Sequence, residues 1–85
     1  MNLLHLIIAT PDGNIFDGNA VSISVRGSEG ELAIMANHIP FVTSVKPCKC
    51  RITFEDGTIK EGETDGGLLT VSEERTTLLS SSFRF

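Results

Sequence analysis

The chain has 85 residues, 40% of them hydrophobic, which gives room for one small core and leaves no compositional case for disorder. A chain of this size buries only about 60–65% of its unfolded surface, so modest stability is expected. Seven basic against eleven acidic residues give a net charge of −4, the wrong sign for binding a phosphate backbone, and five Phe without Trp or Tyr offer few base-stacking rings; a nucleic-acid partner is excluded on both counts.

From the N-terminus, "MNLLHLIIAT" has the apolarity of a secretion signal but neither a basic leader nor a small-residue cleavage site, and Asp12-Gly13 follow closely. It reads as a strand that stays on the protein, covered on both sides, with Leu6 and Ile8 inward. No apolar run approaches the roughly 20 residues of a membrane helix, so direct membrane insertion is not expected. In "AVSISVRG" Val21, Ile23 and Val25 alternate with Ser22, Ser24 and Arg26, the period-two signature of a half-buried strand. "CKCRITFE" repeats it, with Cys48, Cys50, Ile52 and Phe54 facing in and Lys49, Arg51, Thr53 and Glu55 facing out. Pro11-Asp12-Gly13, Asp17-Gly18-Asn19, Asp56-Gly57 and Asp65-Gly66-Gly67 punctuate these runs as turns. "FEDGTI" is the clearest hairpin, with Asp-Gly between strand-forming flanks. No segment keeps an i, i+3, i+4, i+7 pattern over three turns. The reading is all-β: a single domain over residues 1–85, about eight to ten short antiparallel strands in a sandwich or flattened barrel, essentially without helix.

Chemistry-bearing patterns are few. Cys48 and Cys50 stand two apart on one strand, about 6.6–6.8 Å between Cα atoms, at the outer edge of disulfide geometry. Two thiols and two distant histidines also make a poor zinc site, so no metal is expected and both thiols read as free, buried and slow to react. His5 and His38 accompany no nucleophile motif, and there is no Walker loop, so no catalytic residue and no cofactor are assigned; a small hydrolase built on His38 is the remote alternative. "GSEG", residues 27–30, fits the four-residue RNA clamp of KH domains, but Glu29 would repel phosphate and the helices of that clamp are missing. The same residues make a tight turn that exposes Glu29 and Glu31, either as solvated side chains or as a binding tip.

The segment "GSEGELAI", followed by His38, Pro40 and "VKP", closely resembles "GSEGELGI…GHAP…IKP" of the epsilon subunit of bacterial and chloroplast proton-translocating ATP synthases. Phe16-Asp17-Gly18 and "GGLLTV", residues 66–71, follow the family's order, so the resemblance spans nearly the whole chain. It implies an N-terminal β-sandwich at the foot of a rotary central stalk, packed on the gamma subunit and touching polar loops of the c-ring, with no catalytic residue of its own. By the same resemblance Ser28, Glu29, Gly30 and Glu31 meet the c-ring, and Thr10, His38, Val42 and Thr43 lie toward gamma. It also implies a peripheral position on the cytoplasmic face of a bacterial inner membrane. Ala33 and Asn37 replace common glycines of the family, and Cys48 stands where glycine usually follows the proline. The chain closes on "SSSFRF" where the family's helical hairpin would begin, and the initiating Met1 favours a naturally short subunit over a truncation. A different class of function, a free-standing sandwich binding a small ligand or carbohydrate at its loops, is the alternative.

Overall fold

Alternating apolar side chains give this sequence a choice of pairing partners, and turn chemistry with register decides among them. The computed structural model describes residues 2–36 and 39–85. Ten strands are present among them: β1 Leu4–Thr10, β2 Gly13–Ala20, β3 Ser22–Gly27, β4 Gly30–Met35, β5 Phe41–Val45, β6 Cys48–Thr53, β7 Ile59–Thr64, β8 Gly67–Val71, β9 Thr76–Ser80 and β10 Phe83–Arg84. There is no helix among the described residues, and so none long and apolar enough to cross a membrane.

The strands form a nearly closed sheet in the order β10-β7-β6-β3-β5-β8-β9-β1-β2, with β4 added to β3. The all-β sandwich read from alternation is therefore the observed architecture. One feature departs from a purely antiparallel reading: β1 and β9 run parallel, with Leu6 opposite Thr76 and Ile8 opposite Leu78. Hairpin signals are local, and no local signal reports a pairing between the two ends of a chain.

Of the residues that alternation nominates, Leu6, Ile8, Ile23, Val25, Cys50 and Ile52 are buried, while Val21, Cys48 and Phe54 are half-buried. Leu6, Ile8, Ile23, Ile34, Ile52, Leu69 and Leu78 are almost wholly buried, joined by Val25, Val45 and Val71. Burying each such side chain stabilises the fold by about 1.5–3 kcal/mol relative to exposure. Val21 precedes β3 and is only half-buried. In β1 the second face, His5, Ile7 and Ala9, is half-buried rather than covered, which corrects the reading of a strand covered on both sides.

Two devices finish the barrel. Between the terminal strands of the sheet order, β2 and β10, Phe16 meets Phe85 at 6.4 Å and Phe54 at 5.9 Å between ring centroids, and Phe83 meets Phe85 at 5.0 Å. The rings pack tilted or edge-on, the arrangement their quadrupoles favour, and Lys60 Nζ lies 4.2 Å from the centroid of Phe85. Gly62 makes room for this seam, since a Cβ there would stand 2.6 Å from Phe83. Beside this seam, where Thr64 pairs with Phe83, buried hydroxyls tie the β7–β8 turn to the β9–β10 turn: Thr64 Oγ1 lies 2.5 Å from Ser80 Oγ, which donates to the Ser82 carbonyl at 2.6 Å, and Gly66 N–H donates to Thr64 Oγ1 at 3.0 Å. Each buried hydroxyl is thereby satisfied, as burial requires.

The Asp56-Gly57 turn between β6 and β7 is as expected. Gly57 has φ +89°, and Asp56 Oδ1 accepts from the backbone N–H of Thr58 at 2.9 Å and its hydroxyl at 2.6 Å. Those two bonds hold the Asp56 carboxyl below its ordinary pKa.

Candidate functional site

The "GSEGE" segment becomes the β3–β4 turn. Gly30 takes φ +126°, a conformation that glycine adopts without penalty. Gly27 serves packing instead, because a Cβ there would come within 2.7 Å of the Leu32 side chain. Between them Ser28 and Glu29 are exposed, as is Glu31 at the start of β4. Glu31 already has a partner on its own sheet. Arg26 stands directly opposite it in the β3–β4 ladder, with Nη2 3.5 Å from its carboxylate, 81% of the glutamate side chain being exposed.

A hollow of about 400 Å³ is lined by Ser28, Glu29, Gly30, Glu31 and Leu32 on one side and by Phe41, Val42 and Thr43 on the other. Two sets of residues singled out separately in the sequence thus share one surface feature. Their roles within it differ. Val42 is 60% exposed on the outer side of β5, whereas Thr43 points inward beneath the turn, its hydroxyl donating to the Ser44 carbonyl at 3.2 Å. Thr10 shapes the β1–β2 turn, its hydroxyl donating to Gly13 O and accepting from Asp12 N–H, both at 3.2 Å. His38 lies outside the described residues.

The register gives the barrel two unlike outer faces. Across β5, β8, β9 and β1 one row reads Val42, Thr70, Thr77, Ile7 and the next Ser44, Leu68, Leu79, Ala9. None of these eight side chains is charged, and Val42, Leu79 and Leu68 are exposed at 60%, 49% and 40%. At its margin His5 Nε2 lies 2.6 Å from Asp17 Oδ1. Across β4, β3, β6, β7 and β10 the outer face carries cross-strand ion pairs instead: Arg26–Glu31 at 3.5 Å, Arg51–Glu61 at 3.4 Å and Arg84–Glu63 at 3.1 Å. Exposed pairs of this kind contribute little to stability, about 0–1 kcal/mol each, but keep that face solvated. Within its two rows the uncharged face carries no ion pair, and a contiguous apolar and threonine surface is of the kind through which small domains make contacts. It went unread in the sequence, although its signal is there: the outward positions of "FVTSV", "GLLTV" and "TTLLS" lack charge where those of "CKCRIT" and "IKEGET" do not.

The two cysteines are both free, as expected, but they are not equivalent. Cys50 is wholly buried, and burial, with Cys48 beside it, pushes its thiol up to about 12. Cys48 is only half-buried, which corrects the expectation that both are sheltered; its Sγ accepts the backbone N–H of Arg26 at 3.4 Å. The cause is the β3–β6 ladder, which stops at Ser24 opposite Arg51 and leaves Cys48 at an opening. Among the described residues no cluster of three or more His, Cys, Asp or Glu stands ready for a metal.

Residues 3–85 match the family described as ATP synthase, Delta/Epsilon chain, beta-sandwich domain. The chain belongs to this family. Among solved structures it is similar to a chain of the Euglena gracilis mitochondrial ATP synthase in an OSCP/F1/c-ring assembly, with a TM-score of 0.91 at 20% identity over 96% of the present chain. It is also similar to a chain of the Tetrahymena thermophila mitochondrial ATP synthase central stalk and c-ring, with a TM-score of 0.80 at 15% identity over 95% of the present chain. At these identities the likeness speaks for the fold. The match covers 52% of the Euglena chain and 65% of the Tetrahymena chain, so both are longer.

Proposed function

We propose that this ATP synthase delta/epsilon-type sandwich is a non-catalytic subunit of the central stalk, which links the gamma subunit to the c-ring so that the two turn together and proton translocation is coupled to ATP synthesis. The observation that carries this reading is the uncharged face across β5, β8, β9 and β1, set beside the exposed acidic turn at Glu29 and Glu31. A rotor element that transmits torque needs one broad contact that holds and one polar contact that orients. Apolar area at the centre of an interface supplies affinity, and opposite charges at its margin supply register. Gamma is assigned to the uncharged face, with Val42 within it, and a basic polar loop of the c-ring to Ser28, Glu29, Gly30 and Glu31. Thr10 and His38 remain assigned to the gamma side by family resemblance, and Thr43 supports the turn from within. In this reading the chain is peripheral, on the cytoplasmic face of a bacterial inner membrane, and held there through the complex; both solved neighbours are mitochondrial counterparts. The test is co-purification of a tagged chain from gently solubilised membranes. Gamma and c subunits are expected to elute with it, and to be lost with Leu79→Glu, which places a charge in the middle of the uncharged face. Elution of the chain alone, or an unchanged complex with Leu79→Glu, would refute the assignment.

A further inference from the structure

Where β3 and β6 part, a hollow of about 460 Å³ opens, and Cys48 lines it together with Arg26, Lys49, Arg51, Glu31 and Glu61. Glu31 and Glu61 are paired with Arg26 and Arg51, while Lys49 has no ion pair among the described residues. The lining therefore carries one positive charge in excess. The backbone N–H of Arg26, which elsewhere in the ladder would meet a carbonyl, is aimed at Cys48 Sγ at 3.4 Å. A half-exposed thiol in an electropositive hollow is the setting in which cysteines react, and a second thiol, Cys50, stands directly behind it.

We propose that Cys48 is a thiolation site, at which its thiolate exchanges with a low-molecular-weight disulfide that bears carboxylates, of the glutathione disulfide class. Cys48 first gives up its proton to solvent. Its Sγ then attacks one sulfur of the disulfide, forming a new S–S bond as the old one breaks; the electron pair leaves with the second sulfur, which takes up a proton as free thiol. Cys48 is oxidised and the departing half of the reagent is reduced, so no other oxidant is required. The carboxylates of the attached group find Lys49 and the guanidinium N–H groups of Arg26 and Arg51 within the same hollow.

Cys50 does not displace the adduct. It is wholly buried and its thiol is held protonated by that burial, so its thiolate is scarce. The strand also sets the two Cα atoms at about 6.6–6.8 Å, the limit of what a disulfide spans. The mixed disulfide is thus the end product. It lies against the Arg26–Glu31 pair and takes away the Arg26 N–H···Sγ bond.

The experiment uses the full chain with glutathione disulfide and, separately, with the uncharged bis(2-hydroxyethyl) disulfide, followed by intact mass and peptide mapping. Thermal unfolding of each variant confirms that it is folded. The chain and Cys50→Ser are expected to gain one glutathionyl group on Cys48, and Cys48→Ser none. Lys49→Gln should lower the ratio of the two reagents' rates by about threefold or more at low salt, with the difference shrinking as salt rises. The proposal is overturned if Cys50 carries the adduct, if the product is an internal Cys48–Cys50 disulfide, if Cys48 stays unmodified while the unfolded chain reacts, or if Lys49→Gln leaves the ratio unchanged.

Discussion

Glu31 faces two demands in this structure, one from its own sheet and one from the partner proposed for the β3–β4 turn, and a charge swap separates them. In Glu31→Lys the cross-strand partner Arg26, 3.5 Å away, meets a like charge. The pair is exposed, so the attraction lost is about 0.2–1 kcal/mol, and the repulsion gained between directly opposed like charges is of similar size. A total of about 0.5–1.5 kcal/mol corresponds to a fall in Tm of roughly 3–10 °C for a domain of this length. Arg26→Glu combined with Glu31→Lys restores an opposite pair in the same register and should recover most of that loss, because the two residues are coupled neighbours. Docking should not recover. The residue presented to a basic c-ring loop is still lysine, so both the single and the double variant should bind isolated c-ring more weakly than the unaltered chain, most visibly at low salt. Thermal unfolding by circular dichroism measures the first effect, and a c-ring pull-down at two ionic strengths the second. Glu55→Lys, exposed on the loop after β6, is the silent control in both. If the double variant unfolds no later than Glu31→Lys, the ion pair contributes nothing; if either variant binds c-ring as well as Glu55→Lys does, the acidic turn is only solvated.

Other substitutions test the packing and the titration. Gly67→Ala places a Cβ 1.9 Å from the Leu79 carbonyl oxygen and 2.9 Å from its carbon, so β8 and β9 must separate, and urea unfolding should show a loss of several kcal/mol or no folded protein. Phe83→Ala removes the ring of a residue that is 8% exposed and should cost about 3–5 kcal/mol, whereas Phe85→Ala, with its residue 44% exposed, should cost far less in the same assay. Cys50 links stability to alkaline pH. Its thiol is pushed up to about 12 from 9.0, so above pH 9 the unfolded chain releases a proton that the folded one retains, and stability should be full below pH 9 and decline as pH rises toward 12. Cys50→Ala should flatten that decline in a series of denaturant melts, and an equally steep fall in the variant would assign the effect elsewhere.

Much of the architecture is legible in the sequence because strand alternation reports directly on burial. Ile23, Val25, Cys50 and Ile52 lie where period two places them, and Asp56-Gly57 makes the hairpin its chemistry demands. What was not legible depends on register between distant strands. The Arg26–Glu31 opposition, the two outer faces of different character, and the parallel pairing of β1 with β9 appear only once neighbours are assigned. Cys48 illustrates the same limit from the other side. Alternation gives its direction correctly, but its half-exposure follows from the ladder ending at Ser24, which no pattern within "CKCRITFE" encodes. The acidic turn was found because glycine spacing is a local signal; that it shares a hollow with Val42 and Thr43 is not.

The parallel pairing of β1 with β9 also sets the order in which the molecule is made. Leu6 lies opposite Thr76 and Ile8 opposite Leu78, so β1 waits for β9 to be made before its side of the sheet is complete. Until then only the β2 hairpin shelters Leu4, Leu6 and Ile8, and closing a loop of almost the whole chain is the slow, entropically costly step of such topologies. Folding is therefore expected to be slow for a domain of this length, with an exposed β1 edge as the interval's hazard. A circular permutant of residues 1–85 that joins residue 85 to residue 1 and opens the chain at the Asp56-Gly57 turn would bring β1 and β9 close in sequence, and it should fold faster with little change in final stability.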